Sequence, residues 1–230
     1  MDISLFRQQI EYMKSHFNIV TMEQVLAAVR ERERGGPLPE QALLLTFDDG
    51  YIDNYTFAFP ILQEFGVQGS FFIPGKTFVT HQLLDVNKIH YILASANIFE
   101  LVEDVKKEMD YYRGQEYDYA PVDELFHEYA IASRFDINYW LGNLPVEKMR
   151  QDISMALDTL DEFIDRKQWV MNFPYGNYSP DVLEYIKSEG ACAGMTTEVR
   201  IADLDSDNAL ELPRLDCNDF PPKSRNYIDL

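Results

Sequence analysis

Apolar and polar positions follow two rhythms along this chain, and the switches between them predict its elements. The early stretch "SLFRQQIEYMKSHF" repeats apolar residues at helical spacing, with Ser4 placed to cap it. "TMEQVLAAVRERER" keeps that rhythm: Thr21 and Gln24 make a capping box, and Gly35-Gly36-Pro37 ends the helix. Residues 42–47 then run apolar on both faces, as strands of parallel sheets do. A helix is predicted over Asp53–Phe65, stopped by Gly66, with Pro60 inside it as a source of a kink. "VQGSFFIPG" is the next strand. Strand, helix, strand in this order predicts a parallel pair with a right-handed crossover.

Residues 76–165 read instead as a run of helices: "HQLLDVNKIHYILASA", "IFELVEDVKKEM", "PVDELFHEYAIAS" and "VEKMRQDISMALDTLDEFIDR". "YYRGQEYDYAP" is the loop expected among them. With no linker-like composition and no repeat, the region reads as an insertion on the main sheet. The alternation then resumes: "QWVMNFPYGNY" is a strand closed by a turn, "SPDVLEYIKSEG" a helix with Ser cap, Pro start and Gly stop, and "ACAGMTT" and "ALELPRLD" two short strands. Alternating strands and helices predict an α/β fold, and polar residues gathered where strands end predict a site at that rim.

Composition narrows the partners. The 230 residues carry a formal charge of −19, which argues against a nucleic acid or an anionic membrane surface but not against a neutral sugar or a cation. No stretch reaches the roughly 18 apolar residues of a membrane span. The charged N-terminus lacks an apolar leader and Cys192 and Cys217 form no spacing motif, so a reduced, cytoplasmic protein is expected.

Four groups of residues could carry chemistry. Asp48 and Asp49 end an apolar run side by side; either they form a solvated turn with Gly50, or a cation relieves their repulsion, one ligating it and the other serving as a base. Asn87 and His90 stand three apart on a predicted helix, a ligand spacing, although a histidine there is equally a core residue bonded to a carbonyl. Pro174-Tyr175-Gly176 either offers a sugar an aromatic face or is a packed strand-to-helix turn. Arg214 and Asp216, two apart, give a guanidinium that could hold Asp48, or a surface ion pair of little consequence.

Taken in order, "LLLTFDDGYIDNYTFAFPILQEFGVQGSFFIPG", a histidine segment and "NFPYGNY" resemble the polysaccharide deacetylases, metal-dependent amide hydrolases acting on N-acylated amino sugars. The resemblance implies one domain over 1–230, a distorted, incomplete (β/α) barrel with a helical insertion at about 76–165. It implies Asp48 as general base and Asp49 as a ligand of a divalent ion, zinc first, with Asn87 and His90 completing the set. Asparagine stands where a first histidine is expected, and an amide oxygen is a weaker zinc ligand than imidazole. That favours weak binding, a harder metal, or a water in the gap. Pro174, Tyr175 and Gly176 would line the substrate groove, their backbone helping to hold the oxyanion, with Asp216 among the substrate-binding groups. Arg214 would replace the arginine that usually precedes the Pro-x-Gly turn, where Met171, Asn172 and Phe173 stand. No histidine follows His127, leaving His81 as the acid. The usual opening strand is missing. The function implied is removal of an acetyl or formyl group from an amino sugar or oligosaccharide in surface-polysaccharide synthesis. The alternative is an impaired homologue that binds a carbohydrate or a protein partner.

Overall fold

A computed structural model describes residues 2–31, 38–115 and 141–223. The expected helix at 121–133, the glycine-proline stop at 35–37 and His127 lie outside them. The order is α1 (Ile3–His16), β1 (Asn18–Val20), α2 (Met22–Arg30), β2 (Ala42–Leu44), β3 (Thr46–Phe47), a π-helical turn (Asn54–Ala58) running into α3 (Phe59–Phe65), and β4 (Ser70–Phe71). Then come α4 (Gly75–Thr80), α5 (Asp85–Ser95), α6 (Ile98–Tyr112), α7 (Val146–Thr159), β5 (Trp169–Asn172), α8 (Pro180–Ser188) and β6 (Ala191–Met195).

Local chemistry explains most boundaries. Asp2, not Ser4, caps α1: its carboxylate accepts from the Ser4 and Leu5 amides and suits the positive helix end better than a hydroxyl. The Thr21–Gln24 capping box on α2 and the Ser179 cap on α8 form as expected. Pro60 has no N–H to offer Thr56, and beside it the Phe59 N–H reaches back five residues to Asn54. The helix therefore widens into a π turn instead of kinking, and Gly66 in the left-handed region ends it.

The strands lie in three parallel pairs, β1–β2, β3–β4 and β5–β6. β1 follows α1 and was not among the expected strands: Asn18–Val20 pairs in register with Ala42–Leu44. Only three residues long, it is too short for a clear alternation. The expected last strand at 209–216 is also corrected. Residues Ala209–Glu211 form a 3-10 turn capped by Asn208, and only Leu212 bridges Met195 before Pro213, which has no N–H for a ladder. Among the described residues the pairs do not close into one ring.

Three apolar clusters hold these pieces together. Ile10, Ile61 and Leu62 pack α1 on α3, while Met149, Ile153, Trp169, Phe173 and Val182 join α7, β5 and α8. The third, around Leu26, Ala193, Met195 and Leu212, is packed by Leu44, Phe72 and Val170, and so ties β2 and β4 to β5 and β6. Gln9 is buried in α1 and donates its amide to the carbonyls of Cys217, Phe220 and Pro222, fastening the segment beyond Arg214 to the first helix.

Candidate active site

The strand tips carry the polar residues. After β3 the backbone enters the left-handed region at Asp49 (φ 67°) and again at Gly50 (φ 61°), and the Asp48 carbonyl accepts from the Gly50 amide at 2.9 Å. Aspartate tolerates that conformation better than most residues, and glycine adopts it freely. The tight turn stops the alternation of faces along the strand and lets both carboxylates leave the same tip. The tip of β5 repeats the device with Tyr175 (φ 57°) and Gly176 (φ 66°), where a Cβ on Gly176 would collide with Thr197.

Arg214 meets Asp48 across the rim. Its Nη1 and Nη2 donate to Oδ1 and Oδ2 at 2.9 and 3.0 Å, a bidentate ion pair, and its Nε donates to the Thr196 carbonyl at 3.2 Å. Both partners are partly shielded from solvent, and the planar fork fixes the carboxylate's orientation as well as its charge. Of the two readings of Arg214, the pairing with Asp48 is the one the structure contains.

Among the described residues Asp49 has no such partner. Burial, and then the charge of Asp48, push its carboxyl above the ordinary value; a hydrogen-bonding interaction with the Tyr51 hydroxyl partly offsets this. The same hydroxyl accepts a 2.5 Å hydrogen bond from Nδ2 of Asn87 on α5, and the Asn87 side chain is only 8% exposed. Tyr51 thus joins Asp49 to Asn87. It stands inside the "TFDDGY" stretch, but its aromatic type suggested no role there, because the partner that reveals it is 36 residues away.

The remaining candidates lie apart from this cluster. His90 is on the exposed side of α5, and His81 ends α4 as an exposed residue in the left-handed conformation, not on the helix of Asn87. Among the described residues neither makes a hydrogen bond or ion pair with Asp48 or Asp49. Asp216 caps the 3-10 turn Cys217–Asp219, accepting from the Asn218 amide. Pro174–Gly176 forms a 3-10 turn with Tyr175 exposed, but the Gly176 N–H is taken by the Phe173 carbonyl at 2.9 Å, inside the turn instead of pointing at a ligand. Asn172, at the position before Phe173, keeps its Oδ1 buried without a hydrogen-bond partner.

The donor chemistry can be tested against a divalent cation. Asp49 and Asn87 offer a carboxylate and an amide oxygen around one hydroxyl, and a cation would relieve the burden on an ionised Asp49. Oxygen donors suit a hard divalent ion. Among the described residues no three His, Cys, Asp or Glu side chains gather to hold a metal, so a ready three-ligand zinc centre is not what they form. The set fits a cation held by oxygens.

The comparisons agree with this geometry. Residues 35–111, which contain both aspartates, Tyr51, Asn87 and His90, match the polysaccharide deacetylase family model. Bacillus subtilis YxkH, named for that family, is 25% identical over 166 residues, covering 72% of this chain and 48% of YxkH. The Escherichia coli poly-beta-1,6-N-acetyl-D-glucosamine N-deacetylase is 63% identical over 41 residues, 17% of this chain and 6% of that protein. The chain thus spans about half the length of the first relative and a small part of the second. Among solved structures, the Streptococcus pyogenes deacetylase PplD in complex with acetate superposes with a TM-score of 0.59 at 22% identity, covering 93% of this chain and 80% of PplD. IcaB from Ammonifex degensii also gives 0.59, at 18% identity, covering 94% and 83%. The fold is shared with these proteins, and the motif that builds the aspartate turn lies inside the segment that matches the polysaccharide deacetylase family model.

Proposed function

We propose that this chain is a metal-dependent N-deacetylase that hydrolyses the acyl amide of an amino sugar in a polysaccharide or oligosaccharide. The observation that carries the reading is the bidentate Arg214–Asp48 pair beside an Asp49 that has no counter-charge among the described residues. A base and a cation ligand need opposite treatment, and these neighbours receive it. In this reading the architecture is an open (β/α) barrel, one domain with a helical insertion between β4 and β5.

A divalent cation, when bound, supplies a water of lowered pKa and polarises the acyl oxygen. Asp49 and Asn87 would hold that ion, with His90, three residues further along α5, the assigned further ligand. Asp48 takes the proton from the attacking water, and Arg214 keeps its carboxylate turned toward the cleft. Tyr175, exposed at the tip of β5, offers its ring to the sugar. His81 is the imidazole assigned to protonating the leaving amine.

The test is acetate release from an N-acetylglucosamine oligomer by chelated protein resupplied with zinc, cobalt or manganese. Activity that appears with metal and disappears in Asp48→Asn, while metal still binds, supports the reading. No bound ion and no activity with any metal would instead favour a carbohydrate-binding protein that has lost turnover.

A further inference from the structure

Among the described residues two side-chain oxygens are buried without a hydrogen-bond partner, Oε1 of Gln9 and Oδ1 of Asn172. Gln9 has an evident task, since its Nε2 ties three carbonyls beyond Arg214 to α1. Asn172 fastens nothing. Its side chain makes no hydrogen bond with any described residue, and Nδ2 is the end of the amide that solvent reaches. A buried acceptor without a donor destabilises a fold, whereas an apolar side chain in its place does not. Packing alone gives no reason for an amide there.

The alternation along β5 shows where that amide points. Trp169 and Phe173 sit in the apolar cluster with α7 and α8, whereas Val170 packs in the cluster of Met195 and Leu212. Asn172 is two residues beyond Val170, so it shares the inner face, and it pairs with Met195 in the ladder. The same two-residue step leads from other members of the inner cluster to the site. From Leu44 it reaches Thr46, and from Leu212 it reaches Arg214, whose Nη1 lies 3.5 Å from Oγ1 of Thr46. Thr196, next to Met195, holds Nε of Arg214 through its carbonyl. Asn172 therefore belongs to the polar layer that carries the Asp48–Arg214 pair.

We infer that Asn172 is a further catalytic residue, whose Nδ2 donates to the acyl oxygen of the substrate. The assignment rests on the deacetylase reading and adds to it a donor for the developing oxyanion. As the water oxygen bonds to the acyl carbon, Asp48 takes the proton and the carbonyl π pair moves onto the acyl oxygen. The pair returns when the C–N bond breaks and the protonated amine leaves. The neighbouring turn has little to offer that oxygen, because the Gly176 and Asn177 amides are spent on the carbonyls of Phe173 and Pro174. Nδ2 has no protein bond to give up first, and a donor fixed beside buried surface acts more strongly than one in water. An amide is also neutral, so it does not compete with Arg214 for Asp48.

The experiment compares Asn172→Leu with the parent protein in two readouts. The first is steady-state acetate release from an N-acetylglucosamine pentamer with metal supplied. Loss of one oxyanion donor should lower kcat about 100-fold or more, with KM changed less than about threefold. Asn172→Asp, of the same shape but without the donor, should do no better. The melting temperature of metal-free Asn172→Leu should hold or rise, because the orphan acceptor is gone; removal of a structural strut would lower it. The second readout needs no turnover: calorimetric titration of chelated protein with N-acetylglucosamine and glucosamine pentamers. Only the first chain carries acyl oxygens, so the preference for it should fall about fivefold in the leucine variant. A kcat within about threefold of the parent, or a melting temperature that falls with activity, overturns the role of Asn172 and leaves the deacetylase reading. A protein that hydrolyses nothing, yet loses its preference in Asn172→Leu, refutes the enzyme and keeps the acyl contact. No hydrolysis and no change of preference refutes both.

Discussion

Asn87 donates its side-chain amide to the hydroxyl of Tyr51 across 2.5 Å, and through that hydroxyl α5 of the inserted region is fastened to the aspartate turn. Tyr51→Phe removes the acceptor and leaves a buried amide unsatisfied, which costs about 2 kcal/mol. For a chain of this size that is roughly 5 °C in melting temperature. Calorimetry of the metal-free variant checks it; an unchanged transition would mean the bond contributes nothing in solution.

Arg214→Lys keeps a positive charge but loses the fork that grips both oxygens of Asp48. Hydrogen bonds to charged groups are worth about 1.5–3 kcal/mol, so turnover should fall roughly 10- to 100-fold. Steady-state rates on an N-acetylated oligomer give the answer. Equal rates would show that orientation of Asp48 is not limiting.

Asp49 makes the metal-free protein sensitive to pH. Its carboxyl is raised in the folded state, so the protonated form is favoured there; the associated stability is fully present below the unfolded-state value and is lost as pH rises through the folded-state value. Melting temperature should therefore decline across the upper carboxylate range. Asp49→Asn should flatten that decline, and a profile identical in both proteins would remove Asp49 as its source.

Asn87→His replaces an amide oxygen by an imidazole at a position facing the Tyr51 hydroxyl. Zinc affinity, read by competition with a chromogenic chelator, should rise. An unchanged affinity would show that residue 87 does not face the ion.

Cys217 is reached by solvent, yet burial of its sulfur and the neighbouring Asp216 charge push the thiol up to about 11. At pH 8 it should react far more slowly with a disulfide reagent than an ordinary cysteine, because the thiolate is the nucleophile. Asp216→Asn should speed the reaction.

Much of the fold was legible because the signals were local. The capping box at Thr21, the Ser179-Pro180 start of α8 and the Gly66 stop each act within one helical turn, so neighbouring residues alone determine them. Elements that depend on distant pairing were harder. β1 is recognisable only by its register with residues 42–44, and the expected strand around Leu212 shrank to a single bridge because Pro213 cannot extend the ladder. At the site, Asp48 and Asp49 stood out as adjacent carboxylates ending an apolar run. Tyr51 did not, since a tyrosine just after a turn carries no mark of a partner 36 residues away.

By itself the sequence determined which groups stand at the strand tips and the turn that brings them there, since Asp49 and Gly50 meet their left-handed backbone within two residues. It left open whether Arg214 held an aspartate or faced water. Tertiary packing decided that: with Leu212 bridged to Met195, and Leu44 and Leu212 in one apolar cluster, the guanidinium is set against a carboxylate 166 residues away. Burying those side chains together is worth more than either partner's local preference, and no short-range pattern records which distant strand they will meet.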